Sequence, residues 1–183
     1  MSPPTQARHA VDCSSTLPEA LLGDGLYKLG YVVSDRDAAI SALEGRYGFP
    51  EFAVFEPAFP AMLPDGRTIE TRLRCAFSTG RDHVVEVMQP VSGAHELWSD
   101  VLAGDGPLLR FHHIGAVTDD LDSVMEAARR HGLRRLLYAA VPGRYAFAYH
   151  ELPAFGHLVE HIQYFGDAGA FLDGVRARTV TGR

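Results

Sequence analysis

Hydrophobic and polar positions along this 183-residue chain alternate with one period, then another, and the same order occurs twice. Alternation predicts a strand at Tyr27 to Val33. Ser34 and Asp35 then supply helix-starting side chains, and Ala38, Ala39, Ala42 and Leu43 fall on one helical face. Gly48 and Pro50 end that helix. Strands follow at Phe52 to Phe55 and Thr68 to Phe77, joined by a Pro-rich connection (Pro57, Pro60, Pro64) with an Asp65-Gly66 turn. A last strand spans 82–89, giving β-α-β-β-β. A linking helix is expected over Ser92 to Leu102, and Gly104 to Pro107 breaks it. The order then recurs: strand Arg110 to Val117, a helix from Leu121 to His131 capped by Asp119 or Asp120, and strands at Arg135 to Ala140, Arg144 to His150 and His157 to Tyr164.

The expected organisation is an arm over 1–25, a first βαβββ module over 26–91, a linking helix and loop over 92–107, a second module over 108–165, and a helical tail over 166–183. The fold class is α+β.

The repeat extends to residue identity. Lys28-Leu29-Gly30 reads against His113-Ile114-Gly115, and His83-Val84-Val85-Glu86-Val87-Met88-Gln89 against His157-Leu158-Val159-Glu160-His161-Ile162-Gln163. Two signals repeated in order imply two similar modules packed together, with matching positions brought close.

Composition narrows the function classes. A hydrophobic fraction of 46% and a charged fraction of 22% are those of an ordinary globular protein. A net charge of -6 argues against nucleic acid as a partner. No window approaches a membrane span and the first residues contain no apolar run, so neither a membrane nor a leader is expected. Cys13 and Cys75 lie far apart without a CxxC, which points to a reducing cytoplasm. Gly-rich phosphate loops, nucleophile motifs and HExxH are all missing, which argues against covalent catalysis.

Alternation places Phe111, His113, Gly115 and Val117 on one strand face, with His112, Ile114 and Ala116 on the other. Glu160 falls between Leu158 and Ile162, and Glu86 between Val84 and Met88. A carboxylate among aliphatics is costly to bury unless it is paired, protonated or bound to a cation. His113 and Glu160 thus make a two-ligand half-site, with Glu86 as the equivalent carboxylate of the first module. Arg72 and Arg74 share a face with Glu70, and if that face lines a cavity they would hold a substrate carboxylate or phosphate. Tyr145, Phe147 and Tyr149 form an aromatic stripe that reads as core or as a substrate platform, with Tyr149 the candidate binding residue. His150 ends its strand within reach of the same place. His83, His112, His157 and His161 read as facing away from it.

The paired modules with strand-one "HIG" and strand-four "VE" resemble the vicinal oxygen chelate superfamily, which includes glyoxalase I, methylmalonyl-CoA epimerase, extradiol dioxygenases and bleomycin-resistance proteins. The resemblance covers Leu26 to Phe165 and implies a cupped mixed sheet around a divalent metal, with helices outside. Carried over by position, the ligands are residue 28, Glu86, His113 and Glu160. Lys28 departs from the pattern, because an ammonium has no free lone pair. Three outcomes stay open. Glu86, His113 and Glu160 hold Mn, Fe, Co, Ni or Zn; another His substitutes for Lys28; or Lys28 pairs with Glu86 in a metal-free cup. The enzyme reading is an isomerase, epimerase or lyase acting on a small carbonyl or oxyacid. In it His113 and Glu160 hold the metal, Glu86 is either the third ligand or the general base, and Lys28 stabilises the oxyanion. The alternative is a non-enzymatic small-molecule binding protein. A homodimer is implied by the same resemblance.

Overall fold

The computed structural model describes residues 26–79, 83–94, 96–168 and 170. The expected N-terminal arm and most of the C-terminal tail lie outside them. Strand β1 (Leu26–Val32) leads into α1 (Arg36–Tyr47), then β2 (Ala53–Phe55), β3 (Ala58–Met62), β4 (Thr68–Thr79) and β5 (Val84–Ser92). A short α2 (Glu96–Ser99) follows, and then β6 (Arg110–Val117), α3 (Leu121–Arg130), β7 (Arg135–Val141), β8 (Tyr145–Leu152) and β9 (His157–Tyr164). None of the described helices is long and apolar enough to cross a membrane.

The strands form one mixed sheet in the order β2-β4-β3-β7-β8-β9-β6-β1-β5, and pairing of β4 with β5 curls it into a barrel-like cup. Within each half the first strand runs parallel to the last, β1 with β5 and β6 with β9. The halves join where β1 lies antiparallel to β6 and β3 meets β7. This is the expected α+β architecture of two βαβββ modules with helices outside. Two elements differ. The linking helix expected over Ser92 to Leu102 is confined to Glu96–Ser99 and a 3-10 turn at Asp100–Leu102, because β5 runs on to Ser92. The Pro-rich connection, for its part, contains β3, whose Phe59 and Ala61 point inward while Ala58, Pro60 and Met62 are exposed. Its residues pair with β4 from Ala58↔Arg72 to Met62↔Thr68. The period-2 pattern was present around Pro60, and a strand tolerates Pro where the missing N–H leaves no ladder bond unmade.

The repeated signals also fix the helices. The Asp35 carboxylate accepts from the N–H groups of Asp37 and Ala38, both at 3.0 Å, and Asp120 accepts from Ser123 N–H at 2.9 Å. Gly48, at φ 70°, closes α1 with its N–H on the Glu44 carbonyl. The Gln that ends each repeated segment is a further tie. Gln89 Oε1 accepts from Arg36 N–H at 3.1 Å, and Gln163 Oε1 from Leu121 N–H at 3.2 Å. Each satisfies a helix-start donor that has no partner within the helix. Ala39 and Leu43 of α1 bury against Val85 and Val87, and α3 covers the outer face of β8 and β9. The cup interior is a separate apolar layer that includes Leu73, Met88, Trp98, Phe147, Tyr149 and Ile162.

Candidate active site at the floor of the cup

Each site residue comes from a central strand. Lys28 on β1 lies opposite Gly115 of β6, and Gly30 lies opposite His113. Glu86 on β5 is level with Gly30, and Glu160 on β9 is level with Gly115. Gly30 makes the approach possible. A Cβ on Gly30 would sit 2.0–2.5 Å from the His113 ring atoms, closer than any side chain tolerates. Lys28, Glu86, His113 and Glu160 are thereby drawn together, and all four are buried.

Lys28 Nζ lies 2.7 Å from Glu86 Oε2 and 2.5 Å from Glu160 Oε2. His113 Nε2 is 3.4 Å and 3.8 Å from the same oxygens. Glu86 Oε2, Glu160 Oε2 and His113 Nε2 each lack a directed hydrogen-bond partner. At these separations the ion pairing governs, because a charged donor and acceptor this close attract at any torsion of the ammonium hydrogens. The Phe77 ring lies 5.6 Å from Nζ, close enough for its face to favour the positive charge further.

A β-bulge explains what simple alternation missed. The β1–β6 register steps from Gly30↔His113 to Tyr31↔Phe111, leaving His112 as the unpaired extra residue. His112 is therefore buried rather than outward-facing, with Trp98 and Tyr149 as ring neighbours. Its Nε2 lies 3.1 Å from the Leu97 carbonyl, and its Nδ1 lies 2.9 Å from His113 Nδ1. Burial, with the neighbouring His113, lowers the His112 pKa to about 3. Burial and the Lys28 charge lower His113 to about 3. Both rings are then neutral at pH 7, and a carbonyl can only accept. It follows that His112 donates through Nε2–H to Leu97, and His113 donates through Nδ1–H to His112. His113 Nε2 is left with a lone pair directed at the two carboxylates.

Glu86, His113 and Glu160 offer ligand atoms that all lie within 4.8 Å of one another, a buried group that could hold a metal ion. One lone-pair nitrogen and two carboxylate oxygens, all without directed partners, fit a divalent cation in donor chemistry. Such an ion sits roughly 2.0–2.2 Å from each donor. The Lys28 ammonium already lies 2.7 Å and 2.5 Å from the two carboxylate donors, so a metal ion held by these residues would compete with it.

Above this floor opens a cavity of about 650 Å³. Tyr145, Phe147 and Tyr149 all line it, so the aromatic stripe is both core and cup wall. Burial, then the negative Glu160 and Glu86, hold the Tyr149 hydroxyl pKa well above its usual range. Arg72 and Arg74 do not reach the cup. On β4 the cup is lined by Leu73, Cys75 and Phe77, so alternation turns both arginines to the opposite face. Arg74 instead pairs with Asp37 at 3.0 Å and Glu56 at 3.1 Å. His150 also turns away, because its neighbour Tyr149 takes the inward position. Its Nδ1 meets His161 Nδ1 at 3.2 Å on the helix-covered side. His161 is on the outer face as alternation predicts, yet fully buried there.

The sequence model of the Glyoxalase/Bleomycin resistance protein/Dioxygenase superfamily matches residues 27–149, more than half of the chain. A search of curated proteins finds no match. Among solved structures, methylmalonyl-CoA epimerase from Mycobacterium tuberculosis is similar at 19% identity and a TM-score of 0.52, over 81% of this chain and 93% of its own. A second methylmalonyl-CoA epimerase aligns at 20% identity and TM-score 0.53, over 77% and 95% of the two chains. A hypothetical protein from Bacillus halodurans C-125 aligns at 15% identity and TM-score 0.53, over 77% and 94%. These likenesses show the fold. With the family match over both strand-one signals, the chain belongs to the glyoxalase/bleomycin resistance protein/dioxygenase superfamily, the vicinal oxygen chelate group.

Proposed function

We propose that this chain is a proton-transfer enzyme, an isomerase, epimerase or lyase, acting on a carbonyl or oxyacid small molecule bound in the cup. One observation carries the reading: a buried ammonium between two carboxylates at the floor of a ligand-sized cavity. A carbonyl oxygen directed at Lys28 has its developing negative charge stabilised by a fixed cation in a dry, low-dielectric site. The adjacent α-hydrogen then faces a carboxylate. Glu86 is the base in this proposal, because Glu160 is the direct cross-strand partner of Tyr149. Glu86 removes the α-proton, and the electron pair moves to the oxygen beside Lys28. Return of that proton from Glu86 to a different atom or to the other face of the same carbon completes isomerisation or epimerisation. Two of the similar structures are epimerases by name, which is in line with this chemistry.

A second reading is favoured by the His113 lone pair. If Lys28 withdraws into the cavity, Glu86, His113 and Glu160 hold a divalent cation of the Mn, Fe, Co, Ni or Zn group. That ion would supply Lewis-acid polarisation of the substrate oxygen. A homodimer belongs to the proposal and is checked by light scattering.

The test is loss of the α-proton signal in D₂O, followed by NMR over a panel of 2-oxo acids, 1,3-dicarbonyls and α-hydroxy ketones. Exchange by the wild type that falls about 10²-fold or more in Glu86→Gln supports the proposal. Ligand binding with no exchange, with or without added Mn, Co or Zn, reduces the protein to a binding module.

A further inference from the structure

The cup wall carries a chemical preference that the floor alone does not. Phe55, Phe59, Phe77, Trp98, Phe147 and Tyr149 line it, and several meet edge to face. Ring centroids are 5.3 Å apart for Phe59–Phe147, 5.7 Å for Phe147–Tyr149 and 6.0 Å for Trp98–Tyr149. Such walls present ring faces and edges on which another ring stacks. A volume of about 650 Å³ is that of a site for a drug-sized molecule, and a three- or four-carbon acid would leave most of it unfilled.

Charge points the same way. Among the described residues, the lining holds two basic ones, Lys28 and Arg144, against three acidic ones, Glu56, Glu86 and Glu160. The other cations beside Glu56 are committed. Arg36 pairs with Asp37 at 2.9 Å and approaches Glu56 at 3.7 Å, while Arg74 bridges the same two acids. A polyphosphorylated ligand needs clustered Arg and Lys with free donors. This cup instead offers one cation at its floor and a single further one, Arg144, elsewhere in a lining that is mostly apolar.

We infer that the ligand is an aromatic carbonyl compound, neutral or with a single negative charge, whose oxygen reaches Lys28 and whose ring fills the cup, and that it is not a coenzyme A thioester. The inference rests on the proton-transfer reading and specifies its substrate class. The epimerase likeness does not weigh against it, because at 19–20% identity only the fold is shared.

Titration calorimetry on the full chain tests it with phenylpyruvate, with pyruvate as the same head group lacking the ring, and with methylmalonyl-CoA. Fluorescence of Trp98, the single tryptophan, reports whether binding occurs in the cup. Burying a phenyl ring predicts that phenylpyruvate binds about tenfold or more tighter than pyruvate, with a change in Trp98 emission. Phe147→Leu weakens phenylpyruvate more than pyruvate. Equal affinity for the two acids, no binding of phenylpyruvate, or methylmalonyl-CoA binding more tightly than phenylpyruvate each overturns the inference. α-Deuterium exchange separates the two levels. Tight phenylpyruvate binding without exchange upholds the ligand class and defeats the enzyme reading, and exchange on methylmalonyl-CoA alone does the reverse.

Discussion

Replacing Lys28 with Met removes the one positive charge from a buried cluster and keeps much of the side-chain volume. The wild-type ammonium is 2.7 Å and 2.5 Å from two carboxylates, which offer ligand atoms within 4.8 Å of each other. Without it, two like charges at that separation repel by about 3.5 kcal/mol at an effective dielectric of about 20. Breaking a buried ion pair by removing one partner costs about 3–5 kcal/mol, a comparable figure. For a chain of this size that is a fall in Tm of roughly 10 °C. The variant can relieve the repulsion by protonating one carboxylate or by binding a cation. Scanning calorimetry in EDTA should therefore show Lys28→Met well below wild type. Adding Zn, Mn or Co should restore much of the loss in the variant and leave the wild type nearly unmoved. Glu86→Gln in the Lys28→Met background should also recover part of it, because the pair is coupled. A variant as stable as wild type in EDTA, or a wild type stabilised by metal as much as the variant, would refute the reasoning.

Three further outcomes are expected. Gly30→Ala forces a methyl to within 2.0–2.5 Å of the His113 ring, so urea denaturation should show a loss of about 1–3 kcal/mol, and an unchanged midpoint would mean that the ring moves freely. His112→Phe removes the acceptor for His113 Nδ1–H, so ¹⁵N spectra should lose the single His113 tautomer, and metal affinity of Lys28→Met should fall about 10- to 100-fold; a retained tautomer would dismiss the relay. Burial holds His112 and His113 near pKa 3 and His150 near 4, against an ordinary value near 6.5. These rings stay neutral when folded, while the unfolded chain takes up protons below pH 6.5. Stability is thus full above that pH and falls as pH drops toward 3–4, each ring contributing up to about 1.4 kcal/mol per pH unit. Urea midpoints that do not change between pH 7 and pH 5 would contradict this.

The repeat made most of the fold legible, because several repeated residues have a job fixed by strand geometry. Glu86 and Glu160 mark the floor, and Gln89 and Gln163 hold the helix starts. The helix caps at Asp35, Gly48 and Asp120 were readable for the same local reason. Elsewhere the local pattern was insufficient. His112 and His113 are consecutive, so strict alternation separates them, and only the bulge brings both inward. Arg72 and Arg74 were correctly put on one face of β4, but which face looks into the cup depends on closure of the barrel. β3 was hidden by Pro60, although Phe59 and Ala61 already alternated with exposed neighbours. Lys28 stood out as the break in the repeat. That its ammonium would reach Glu160 as well as Glu86 required both modules to be seen in register.

Whether the cation on the cup floor is the Lys28 ammonium is most directly measured by elemental analysis of protein purified without an affinity tag. Wild type, Lys28→His, His113→Ala and Glu160→Ala would be exposed to Mn, Co and Zn and then desalted. The wild type is expected to keep no stoichiometric metal and Lys28→His to keep about one ion per chain, the usual single occupancy of a four-donor site. Stoichiometric metal retained by the wild type, and lost in both His113→Ala and Glu160→Ala, would contradict this.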